Sequence, residues 1–103
     1  MTARWVRAAS VDDLPQGGGR PVVVDGRTVA LFNDGGEILA VDDTCPHQGA
    51  SLGEGLLHRG QVVCPWHAWT FDLRSGECTR VPGISVGRYA TRLSGGDVEV
   101  EIP

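Results

Sequence analysis

Glycine and proline interrupt this chain so often that a helix of ordinary length has little room to form. The 103 residues include 15 glycines and 6 prolines, and the glycine share is about twice the usual roughly 7%. Many of the glycines fall in turn-forming clusters: Asp25-Gly26, Asp34-Gly35-Gly36, Ser75-Gly76 and Gly95-Gly96-Asp97. An Asp-Gly pair between apolar runs signals a hairpin, because the tight turn needs backbone angles that glycine adopts without strain. Residues 22–24, 28–32 and 38–41 are continuous apolar runs of strand length. Val98, Val100 and Ile102 alternate with Asp97, Glu99 and Glu101, the period of a half-buried strand. Residues 5–8 read as a further strand. A single helical turn follows at Ser10-Val11-Asp12-Asp13, which has the outline of a capping box and stops at Pro15. The pattern predicts an all-β fold, a small antiparallel β sandwich or barrel. One long irregular excursion, residues 43–60, precedes a strand at 61–63.

The length suits one domain covering residues 1–103, and with 41% hydrophobic residues the chain can fill one modest core. A formal net charge of −4 argues against nucleic-acid binding, which needs a basic footprint, and suits docking on a basic protein partner. Asp12, Asp13, Asp42, Asp43 and Glu54 are candidates for an acidic docking face, Asp42 and Asp43 foremost. The sequence holds no apolar run near the roughly 18 residues that a membrane span requires. The segment from Arg4 to Asp13 has no apolar core of signal-peptide kind. Three cysteines at irregular spacing fit a reducing compartment better than a disulfide framework. Together these features predict a cytoplasmic protein.

Two of those cysteines pair with histidines. Cys45-Pro46-His47 is followed, after 16 intervening residues, by Cys64-Pro65-Trp66-His67. Each pair sits at a turn stiffened by the proline beside its cysteine. Thiolate and imidazole are strong ligands for zinc and iron, and both kinds occur twice, so a metal site at Cys45, His47, Cys64 and His67 is the natural reading. Two occupants remain open on the residues alone. One is a structural zinc in a stabilised interaction module; the other is a 2Fe-2S cluster in which one iron takes two Cys and the other two His.

Cys45-Pro46-His47-Gln48-Gly49 and Cys64-Pro65-Trp66-His67-Ala68-Trp69 resemble the two cluster-binding loops of the Rieske family. The likeness extends over nearly the whole chain, and Val81-Pro82-Gly83 matches the family's proline-bearing third loop near the cluster. Ala68 departs from the glycine often found after this histidine. The resemblance implies a Rieske-like fold with both cluster loops at one end and one 2Fe-2S cluster per chain. It also places His47 and His67 at exposed loop tips, where electrons enter or leave.

Mixed ligation has a charge rationale. With two thiolates and two neutral imidazoles the oxidised cluster is neutral, whereas four thiolates make it doubly negative, so this cluster accepts an electron more readily. The family's potentials accordingly span about −150 to +300 mV. Respiratory members carry an additional cysteine in each loop, bridged to each other, and aim serine and tyrosine hydroxyls at the cluster. Ala50 and Trp66 stand at the first pair of positions and Trp69 and Phe71 at the second, so the resemblance implies a low-potential centre without the bridge. Bound metal ions acidify their ligands, so a midpoint that falls at alkaline pH is expected of histidine ligation.

No substrate-transforming site is evident. Once His47 and His67 are assigned, only His58 is left, too few for a mononuclear iron site of two His and a carboxylate. Gly17 and Gly19 begin a G-x-G-x-x-G fingerprint, but Val22 occupies its last position. Electrons must therefore come from a partner protein. The expected role is a soluble electron carrier between a reductase and a terminal oxygenase or similar acceptor. The alternative within the family is the small subunit of an NAD(P)H-dependent nitrite reductase, bound to its large subunit. Cys78, with no histidine partner, reads as a small buried strand residue, and His58 beside Arg59 as solvated. Trp69 and Phe71 read as core. Trp66 suits shielding the cluster or plain packing about equally.

Overall fold

A computed structural model describes residues 4–46, 49–66 and 69–103. Its strands are β1 (Arg4–Ser10), β2 (Gly19–Val24), β3 (Arg27–Asp34), β4 (Glu37–Asp42), β5 (Leu56–His58), β6 (Gln61–Val63), β7 (Thr70–Asp72), β8 (Arg88–Tyr89), β9 (Thr91–Ser94) and β10 (Asp97–Ile102). They form three antiparallel sheets, ordered β1-β10-β9, β2-β3-β4-β8 and β5-β6-β7. The all-β antiparallel expectation is met.

β3 explains the layering. Val29, Ala30, Leu31 and Phe32 are all fully buried, yet successive residues of a strand point to opposite faces. Val29 and Leu31 pack with Val98, Val100 and Ile102 of β10, while Ala30 and Phe32 pack with Val62, Phe71, Cys45 and Cys64. The middle sheet therefore has a core on each face. That is why residues 28–32 read as a continuous apolar run, whereas β10, solvated on one side, alternates.

Two expectations need correction. The excursion over residues 43–60 is not irregular throughout, since it holds a 3-10 turn at Leu52–Glu54 and then β5, which pairs with β6. The β5–β6 hairpin turns on Arg59-Gly60, both with left-handed backbone (φ +52° and +76°). Arg-Gly is not one of the dipeptides that announce such a turn, and a strand of three residues is too short to show a period. The first strand also runs past residues 5–8, to Ser10. The turn after it is a 3-10 turn, Val11–Asp13, in which the Ser10 hydroxyl accepts from the Asp12 N–H at 3.3 Å.

Candidate metal centre

Each of the two cysteine loops is closed in the same way. The first leaves β4, is pinned by the bridge between Thr44 and Ser51, and closes where the Cys45 N–H donates to the Ala50 carbonyl at 2.8 Å. The second joins β6 to β7 above the pair Val63 and Thr70, and the Cys64 N–H donates to the Trp69 carbonyl at 2.6 Å. In both, the cysteine is the first residue of the loop and bonds five residues ahead, with proline fixing the turn just after it. In the first loop, the N–H of Gly49 returns to the Cys45 carbonyl at 2.8 Å, with Gly49 at φ +77°. A side chain there would be strained in this conformation.

This shared closure turns both thiols inward. Cys45 and Cys64 are 1% and 2% exposed, belong to the same core, and lie close enough for the Cys45 thiol to affect the ionisation of Cys64. Burial pushes the Cys64 thiol above its ordinary value. The backbone N–H of Trp66, directed at the sulfur, opposes that shift in part, and the neighbouring Cys45 thiol adds to it. The structure thus brings together two thiols from separate loops, free of a disulfide. Metal binding would remove their protons. His47, Gln48, His67 and Ala68 lie outside the described residues, and the expectations placed on them lie there too.

The third loop, around Val81, Pro82 and Gly83, adjoins the second. The Thr79 N–H donates to the Thr70 carbonyl at 2.8 Å, and the Thr70 and Thr79 hydroxyls are hydrogen-bonded. Cys78 is buried in the same core as Cys45 and Cys64, its N–H donating to Ile84 and its backbone bridging Phe71. Phe71 is fully buried and Trp69 packs on the core, as expected, and His58 is exposed. Trp66 is 51% exposed, so plain packing does not account for it.

The acidic docking face does not exist as expected. Asp43 is buried and accepts from the Ser51 hydroxyl and the Gly53 N–H. Asp42 is half-buried and accepts from the Tyr89 hydroxyl and the Gly87 N–H. Asp12 and Asp13 sit at the far end of the middle sheet. Asn33, at the β3–β4 turn, donates to Leu14, while the first cysteine loop meets the start of β3 through Asp43 and Thr28. Five strand residues, about 17 Å, separate the two ends. Glu54 is exposed, at the end of the turn that adjoins buried Asp43. The role of Asp43 was missed in the sequence, where only its place two residues before Cys45 and the Ser-x-Gly at 51–53 hinted at it.

Comparison with known proteins agrees with this architecture. The Rieske 2Fe-2S domain model matches residues 4–91. The ferredoxin component of the naphthalene 1,2-dioxygenase/salicylate 5-hydroxylase systems from a Ralstonia species is 38% identical over 82 residues, 80% of this chain and 79% of that protein. Among solved structures, the ferredoxin of carbazole 1,9a-dioxygenase from Nocardioides aromaticivorans superposes with a TM-score of 0.86 at 32% identity, covering 93% of this chain and 95% of that one. A Mycobacterium tuberculosis structure described as an NADH-dependent nitrite reductase small subunit gives 0.90 at 32% identity, covering 100% and 98%. The family match decides between zinc and iron, and the buried thiol pair fits it: the chain belongs to the Rieske 2Fe-2S domain family and carries a single 2Fe-2S cluster.

Proposed function

We propose that this chain shuttles single electrons from a reductase to a terminal oxygenase or a similar acceptor, with Cys45 and Cys64 holding one iron and His47 and His67 the other. The observation that carries this reading is the pair of neighbouring, buried thiols presented by two equivalently closed loops. When bound, the cluster supplies a one-electron couple. The chain holds the sulfur side away from water, and the backbone N–H of Trp66 is directed at the Cys64 sulfur, where it would stabilise added negative charge.

Likeness to ferredoxin components of oxygenase systems supports the oxygenase partner. The near-complete overlap with the nitrite reductase small subunit favours a second reading, in which the acceptor is the large subunit of such a reductase. Stable co-purification with a sirohaem-containing subunit would select the second. We further propose that residues 1–103 form one Rieske domain and that the protein resides in the cytoplasm, where reduced thiols persist. Among the described residues, no helix is long and apolar enough to cross a membrane.

Anaerobically purified protein should contain iron and acid-labile sulfide in equal amounts. After dithionite reduction it should give the low average g value of mixed histidine and cysteine ligation. Zinc in place of iron would sink the assignment. Cys45→Ser or Cys64→Ser should abolish the signal, and Cys78→Ala should retain it.

A further inference from the structure

Asp43 ties the first cysteine loop to the rest of the molecule. Its N–H donates to the Thr28 carbonyl of β3 at 3.2 Å, and its carbonyl accepts from the Leu52 N–H at 2.7 Å. Its Oδ1 accepts from both the Ser51 hydroxyl and the Gly53 N–H, each at 2.8 Å. The residue is 6% exposed, and a carboxylate taken so far from water persists only where hydrogen bonds replace hydration.

The surroundings are built for that contact. A Cβ at position 53 would stand 2.4 Å from the Pro21 nitrogen, 2.7 Å from the Arg20 carbonyl carbon and 2.9 Å from Asp43 Oδ1. Glycine alone lets the backbone of residue 53 slip between β2 and the carboxylate. By contrast, the bonds from Cys45 to Ala50 and from Gly49 to Cys45 close the loop on itself. They set its internal shape and leave its placement to the stem. That placement falls to Asp43, two residues before Cys45, where β3, the loop exit and the Leu52–Glu54 turn converge.

We propose that Asp43 is a positioning residue for the cluster, fixing where the Cys45 thiol meets that of Cys64. The inference rests on the reading of Cys45 as a ligand. Asp43→Asn keeps an acceptor oxygen for Ser51 and Gly53, whereas Asp43→Ala leaves the Gly53 N–H buried without a partner. In the full, cluster-loaded chain, D43A, which loses both hydrogen bonds to Oδ1, is expected to release iron to a chelator about tenfold faster than wild type, or more. Its reduced EPR g values should also shift. D43N is expected to restore both readouts, with release within about twofold of wild type. Far-UV circular dichroism follows the fold separately. Should D43A fail to fold, S51A removes one donor and leaves the carboxylate bonded to Gly53, and the same readouts apply with a smaller acceleration.

Release and spectra of D43A matching wild type, D43N behaving as badly as D43A, or an S51A variant unchanged in both readouts would each overturn the proposal. Failure of the ligand reading looks different: Cys45→Ser would then retain the cluster.

Discussion

Asp42 and Asp43 are adjacent in sequence and serve different parts of the molecule. Asp43 anchors the first cysteine loop, while Asp42 accepts from the Gly87 N–H at 3.1 Å and from the Tyr89 hydroxyl, joining the end of β4 to the segment entering β8. Neither duty is visible locally, since Gly87 and Tyr89 lie more than forty positions away and an acidic pair at a strand end is ordinarily solvated. The Tyr89 contact has a pH consequence. Burial raises the Tyr89 phenol above its ordinary value of 10.0, the bond to Asp42 raises it further, and Arg27 offsets this only in part. The folded state thus keeps a proton that the unfolded state releases above about pH 10, so this contribution to stability is intact below that pH and is lost as pH rises beyond it. Chemical denaturation of Tyr89→Phe should show about 1 kcal/mol less stability at neutral pH and a flatter decline above pH 10 than wild type. Parallel declines would show that Tyr89 is not the group responsible.

At the scale of elements, legibility depended on whether a turn declared itself. Asp25-Gly26, Gly35-Gly36 and Gly95-Gly96 each form the two-residue loop their residues suggest, joining β2 to β3, β3 to β4 and β9 to β10. Arg59-Gly60 does the same for β5 and β6 with an arginine in left-handed backbone, which costs a non-glycine residue roughly 1 kcal/mol. Asparagine tolerates that conformation. Arg59→Asn should therefore raise the melting temperature by about 2–4 °C, the equivalent of roughly 0.5 kcal/mol in a chain this size. A lower melting temperature would mean that the Arg59 side chain makes a contribution its exposed position does not suggest. Arg74, just beyond β7, reaches Asp34 and Glu37 at the β3–β4 turn and so joins the third sheet to the middle one. These groups are largely exposed, so the link should weaken visibly with added salt.

For the molecule as a whole, the reduction potential is the property that integrates these details. Phe71 is wholly inside the core and Trp69 packs against it, so the two positions where respiratory relatives place hydroxyls hold aromatic rings. Without those hydroxyls, the reduced and more negative state is less stabilised than in such relatives. The midpoint should lie within about 100 mV of −150 mV, the lower end of the Rieske span. A redox titration placing it above about +100 mV would contradict this reading of the site. A candidate metal site was legible in the chain itself, because ligand type and loop stiffness are properties of a few adjacent residues, two Cys-Pro turns each with a histidine close behind, but those residues left zinc and iron both open. The all-β class was legible for the same reason, since turns and alternation are local. Tertiary structure alone decided that β3 carries a core on both faces, that the two thiols meet, and that Asp43 is interior rather than part of a docking surface. Each of those outcomes depends on burial and on hydrogen bonds between segments far apart in sequence, and a short-range pattern carries no record of them.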